Sequence, residues 1–216
     1  MRKVEDPLVV EIVDLHKGED FRGILRKIRD VVECGDKSIL SDLHLLSWPA
    51  PTEADLQAVS RFTRENEITR VYSIGCGTGL LEWLIEKVIR ENKENFTVTG
   101  IEIDFGWWSG VYAPPTFLPL LYVDKNFNVN EPFGEYNDMA LFCYFNNLKI
   151  FIDYLAVFKG NFIAILGPIS TTQFCAPAPL ELVKNNDMPC KEWKLTLFQP
   201  FGLGNVDHIA IYKRVL

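Results

Sequence analysis

The hydrophobic positions along the chain follow two successive patterns. In EDFRGILRKIRDVVECGD, Phe21, Ile24, Leu25, Ile28, Val31 and Val32 recur at the spacing of one helix face, and Gly35 supplies a stop. The prolines of SWPAP mark a loop. Thr52 with Asp55 then forms an N-cap pattern that opens a helix carrying Leu56, Val59 and Phe62. The first seventy residues therefore read as helical. From Arg70 onward, short apolar runs alternate with helical periods. VYSI reads as a buried strand ending in GCGTG, and LLEWLIEKVIREN as a helix with Leu81, Leu84, Ile85, Val88 and Ile89 on one face. FTVTGIEI is a second strand by its β-branched content, PLLYV a third, MALFCYF a fourth and FIAILG a fifth, with LKIFIDYLAVF as a helix before the last. The stretch from Asp104 to Pro115 is irregular and leaves room only for a short helix.

The end of the chain changes period again. WKLTLF and HIAIYKRV alternate apolar and polar residues around FGLGN, the pattern of an antiparallel hairpin. Five strands interleaved with helices and closed by a hairpin predict an α/β fold. Its sheet is mostly parallel and seven-stranded, with a C-terminal antiparallel hairpin. No repeat or linker divides the chain. Residues 1–69 read as an N-terminal helical extension, and residues 70–216 as the domain it packs on, in one compact unit.

Composition narrows the function classes. With 216 residues, 48% hydrophobic and 24% charged, the chain is long enough for one sizeable core. No apolar run approaches the roughly 20 residues of a membrane span, and the N-terminus lacks the pattern of a secretory signal. Five dispersed cysteines (Cys34, Cys76, Cys143, Cys175 and Cys190) point to reduced thiols and a cytoplasmic, or nuclear, protein without membrane association. The net charge of −7 disfavours nucleic acid as a partner, because that interaction runs on phosphate neutralisation. His16, His44 and His208 lack metal-ligand spacing, and no metal site is expected. Nucleophile-elbow, P-loop and CxxC motifs are missing.

The chemistry concentrates in VYSIGCGTGLLEW. A strand must turn sharply into a helix there; glycines permit the turn and the close approach of a ligand, and the helix start offers unpaired amides. A dinucleotide fingerprint requires a small residue after two further positions, where this chain has Leu80. The bulk of Leu80 opposes a closely held pyrophosphate. At Gly75, Gly77 and Gly79 the chain instead resembles the class I S-adenosylmethionine (SAM)-dependent methyltransferases, with their Rossmann-like fold and G-x-G-x-G loop. Glu102, at the end of the second strand in VTGIEID, extends the resemblance, since an acid there can accept both ribose hydroxyls.

What the resemblance implies is SAM as cofactor. Ser73, Gly75, Cys76, Gly77, Thr78, Gly79 and Glu102 would contact it, and Asp124, in LLYVD, would lie near the adenine amino group. The chain also resembles a poorly characterised group of methyltransferase-like proteins with a W-x-x-P element, matched here by Trp48, Pro49 and Pro51. In amino-methylating members of the superfamily a proline-containing loop after the fourth strand holds the target nitrogen. Here that loop is CYFNN, without prolines. Asn146 offers a carbonyl acceptor and Tyr144 a ring for stacking, so Cys143, Tyr144 and Asn146 are the candidate catalytic residues. The resemblance implies methyl transfer to a small molecule or a protein side chain. The altered loop keeps a second reading open: an inactive methyltransferase-fold protein that serves as a SAM sensor or protein-interaction module. The aromatic residues Phe105, Trp107 and Trp108 are expected to pack beneath the short helix, with a lid or substrate wall as the second reading.

Overall fold

The computed structural model describes residues 6–123, 125–170, 173–184 and 192–215. Four helices lead the chain: α1 (Pro7–Lys17), α2 (Phe21–Cys34), α3 (Lys37–Leu46) and α4 (Glu53–Glu65). Each starts where a short polar side chain takes up an orphan amide, with Asp6, Asp20, Asp36 and Thr52 in turn as N-cap. Gly35 ends α2 in the left-handed conformation, as the sequence predicts.

Strands and helices then alternate: β1 (Arg70–Ile74), α5 (Leu80–Arg90), β2 (Thr97–Glu102), α6 (Phe105–Trp108), β3 (Leu120–Tyr122), β4 (Asp138–Cys143), α7 (Leu148–Val157) and β5 (Phe162–Pro168). The short α8 (Glu181–Lys184), which the apolar pattern does not reveal, precedes β6 (Trp193–Phe201) and β7 (Asp207–Arg214). All seven strands join one sheet in the order β3-β2-β1-β4-β5-β7-β6. Strands β1 to β5 pair in parallel, whereas β7 runs antiparallel to both β5 and β6. This is the mostly parallel sheet with a terminal hairpin that the sequence predicts.

Strand alternation divides the core between the two faces of the sheet. Val71, Met139, Leu141, Ala164 and Leu166 face one side, where they pack with α1 to α5. Tyr72, Ile74, Ala140, Phe142, Ile163 and Ile165 face the other, against Phe151, Tyr154 and Leu155 of α7. Because β1 pairs with β2 on one side and β4 on the other, the chain changes winding direction at β1. A crevice opens beyond the carboxyl ends of strands at such a switch point. No helix among the described residues is long and apolar enough to cross a membrane.

The predicted Thr52 cap is a full capping box. Thr52 donates its backbone N–H (2.8 Å) and its hydroxyl (2.6 Å) to Asp55 Oδ2. The same oxygen accepts the Gly202 N–H at 3.0 Å, so one carboxylate ties the start of α4 to the turn after β6. Asp55→Ala removes a charged acceptor from three donors. It is expected to cost about 1–3 kcal/mol, read as a lower urea midpoint with unchanged slope.

Candidate functional site

The loop after β1 is shaped by backbone conformations that other residues rarely adopt. Gly77 (φ +62°) and Gly79 (φ +76°) both lie in the left-handed region. A Cβ on Gly77 would meet nothing within 4 Å, so the inner surface of the loop faces free space. At Gly79 a Cβ would collide with Leu118 Cδ2, so packing forbids it. The loop is anchored on three sides. Gly75 N–H donates to Ile101 O (2.8 Å), Gly77 N–H to Glu102 Oε1 (2.7 Å), and the Thr78 hydroxyl to Leu46 O of α3.

Around this loop lies an open cleft of about 180 Å³. Its walls come from residues 75–78, from residues 44–49 at the end of α3, from Leu81 and Glu82 of α5, and from Trp108, Cys143 and Tyr144. Thus Gly75, Cys76, Gly77 and Thr78 of the sequence-predicted cofactor set line one cleft. Gly79 is buried behind it as the N-cap of α5. Ser73 is fully buried on β1, where its hydroxyl donates to Glu82 Oε1 at 2.7 Å. Glu102 is set back from the wall; its carboxylate accepts from Gly77 and Ile103 amides and from the side chain of Trp108, which does line the cleft. Asp124 lies outside the described residues.

The electrostatics are those of a desolvated acidic floor. Burial raises the Glu102 carboxyl above its ordinary value, opposed by the amides it accepts from. Burial pushes Glu82, 1% exposed, up to about 7, although the Ser73 hydroxyl works in the other direction. The Cys76 and Cys143 thiols are likewise pushed well up by burial, and Glu82 adds to the effect on both. They are protonated at neutral pH and poor nucleophiles.

The candidate catalytic residues separate. Cys143 and Tyr144 line the cleft, whereas Asn146 is exposed and outside its wall. Neighbouring Asn147 caps α7 by accepting the Ile150 N–H at 3.1 Å. Tyr144 has a positive φ of 50°, uncommon for a non-glycine residue. Its hydroxyl donates to Asp207 Oδ1 at 2.6 Å, and its ring stacks on Trp48 with centroids 5.4 Å apart. Trp48 also stacks with His44 (5.2 Å) and Phe174 (5.4 Å), which gives the cleft an aromatic rim.

Two wall residues, His44 and Glu82, escape sequence reasoning, and Trp108 takes the wall position of its second reading. Trp108 does not pack under its helix with Phe105 and Trp107: Phe105 packs on Tyr122, Trp107 is 51% exposed, and Trp108 turns to Glu102. A four-residue helix is too short to hide three large rings, so they diverge. The stacking of His44 on Trp48 has no sequence signal, because it depends on how α3 meets the sheet. Glu82 did carry one: it is a lone acid among Leu80, Leu81, Trp83, Leu84 and Ile85, all of them buried.

No protein-family model and no curated protein matches the sequence. Among solved structures, the cofactor-bound protein Rv0187 from MTB overlays with a TM-score of 0.53 at 13% identity, over 81% of this chain and 85% of that one. The methyltransferase domain of bacterial CtHen1 gives 0.49 at 12% identity, over 76% and 98%. An rRNA methylase from Escherichia coli gives 0.48 at 16%, over 96% and 75%. With the strand order and terminal hairpin described above, the chain has a Rossmann-like α/β fold that it shares with that cofactor-bound protein.

Proposed function

We propose that this chain is a SAM-dependent methyltransferase that binds SAM in the cleft at the end of β1 and acts on a small molecule or a protein side chain. The observation that carries the reading is the glycine loop itself. Three left-handed glycines sit at the sheet's switch point, and the Gly77 amide is fixed on the carboxylate of Glu102. The donor set fits the cofactor. The open space over Gly77 leaves bare backbone for a ligand to approach, and Glu102 offers a carboxylate for ribose hydroxyls.

Bound SAM supplies a methyl group already activated on a sulfonium sulfur, so the protein's share is alignment and the exclusion of water. The loop from Gly75 to Thr78 and Glu102 form the cofactor side, with Ser73 and Gly79 buried behind them. Trp108 must yield its hydrogen bond to Glu102 for the ribose hydroxyls to take that place. Cys143 and Tyr144 form the acceptor side. With its proton committed to Asp207, the Tyr144 hydroxyl keeps oxygen lone pairs that can accept an N–H or O–H of the acceptor. The net charge of −7 supports a partner other than nucleic acid.

The exposed position of Asn146 favours one second reading, a SAM-binding sensor or interaction module without transfer. It is separated from the first by labelled SAM that binds but donates no methyl group to broad pools of metabolites and proteins. Equilibrium dialysis against methyl-labelled SAM tests the shared premise. Wild type is expected to retain label, and Gly77→Arg, which fills the space over the loop, to lose at least tenfold in affinity while melting cooperatively. Equal retention by the two proteins overturns the cleft assignment.

A further inference from the structure

Glu82 is the buried ionisable group that the fold leaves unexplained. It is 1% exposed, lies in the wall of the cleft beside the glycine loop, and accepts the Ser73 hydroxyl at Oε1 together with a backbone N–H. A carboxylate has about four lone-pair sites, and a buried charge is tolerated when it is paired. Yet no lysine or arginine lines the cleft, and no ion pair to Glu82 exists among the described residues. A structural acid in this position would be expected to have a cation from its own chain.

The groups that surround it do not fill that role. Glu102 from β2 is a second acid and disfavours ionisation of Glu82. Cys76 of the loop and Cys143 of β4 are neutral thiols, and Ser73 of β1 is a neutral donor. His44, on the α3 side of the cleft, stacks on Trp48. The cleft therefore offers a desolvated acid whose missing partner is a compact cation.

We propose that Glu82, held in place by the Ser73 hydroxyl behind it, forms the seat for the α-ammonium group of the bound ligand as its counter-ion. The inference rests on the reading that this cleft binds SAM, whose amino-acid end carries such a group. It assigns to a helix side chain the recognition of that end, while the glycine loop and Glu102 take the adenosyl end. The Glu82 carboxyl, pushed up to about 7 in the free protein, is then driven to ionise when the cation arrives. The ammonium keeps its three hydrogens, and the proton held by Glu82 leaves to the buffer.

Calorimetry in buffers of different ionisation enthalpy measures this on the protein as it exists. S-adenosylhomocysteine (SAH) is the probe with an ammonium group, and 5′-methylthioadenosine, which shares its adenosyl thioether, the probe without one. Wild type is expected to release close to one proton per SAH at about pH 6 and almost none above about pH 8.5, with affinity rising over that range. Glu82→Gln keeps the side-chain shape and an acceptor for Ser73. It should lose at least tenfold in SAH affinity at pH 8, release no proton, and bind methylthioadenosine within about twofold of wild type. Parallel losses for both probes, or SAH binding that is unchanged in Glu82→Gln, overturn the ammonium seat while the cleft assignment stands. If wild type binds neither probe, both fall together.

Discussion

Replacing Gly79 with alanine is expected to lower the melting temperature by about 4–20 °C, the largest effect of any single methyl group near the cleft. Two costs combine. The φ of +76° puts an alanine Cβ against its own backbone, at roughly 1–2 kcal/mol. The same Cβ collides with Leu118 Cδ2 and comes within 2.9 Å of Leu118 Cγ, and forcing a methyl into a packed site costs about 1–3 kcal/mol. Leu118 is buried at 8% exposure, and its backbone follows Phe117, whose N–H donates to Thr78 O at 2.8 Å, so yielding there also strains the loop. At roughly 2–4 °C per kcal/mol for a chain of this size, the sum gives the stated fall. Gly77→Ala is the control. It carries a similar φ but no collision, and should lose only the first cost. Equal melting temperatures for the two variants would show that Leu118 does not set the requirement for glycine at position 79.

The second large effect is a change in the pH dependence of stability caused by Glu82. Its carboxyl is raised from 4.5 to about 7 in the folded protein by burial. The folded state therefore binds more protons than the unfolded state between these values, and stability falls as pH rises through that window. The carboxyl imposes no ionic penalty below about pH 4.5 and its full penalty above about pH 7. A shift of this size corresponds to about 3 kcal/mol. Glu82→Gln cannot ionise, so the stability difference between variant and wild type should swing by about that amount from pH 5 to pH 8, in favour of the variant. Chemical denaturation at both pH values measures it. A difference that stays constant with pH would mean that Glu82 is already ionised and paired in the free protein.

The same substitution then acts in opposite directions: it stabilises the empty protein at pH 8 and weakens its hold on SAH. That opposition is what a ligand-binding acid predicts, because the site keeps a desolvated charge whose partner arrives only with the ligand.

Much of the fold was legible because periodicity and packing coincide. The i, i+3, i+4 pattern of α2 buries Ile24, Leu25, Ile28 and Val31 as expected. The period-2 runs at the end of the chain form β6 and β7, with a register shift between Leu195 and Leu197 that no pattern announces. Glycine spacing located the loop, since φ requirements are written locally in the residue type. The far side of the cleft was legible only in part: the sequence offered Trp48 and Tyr144, but not the contacts that join them. The rim of His44, Trp48, Tyr144 and Phe174 joins three distant stretches of chain. Asn146 and Tyr144 are two residues apart, yet only Tyr144 reaches the cleft, because its positive φ redirects the chain after β4. Backbone reversals of that kind carry no compositional mark when the residue is a tyrosine.

Calorimetric titration of the wild-type chain with SAH, beside an identical titration with NAD, tests the central claim most directly. The account predicts a saturable one-site heat with SAH and none with NAD. Saturation by NAD alone, or by neither, would contradict it.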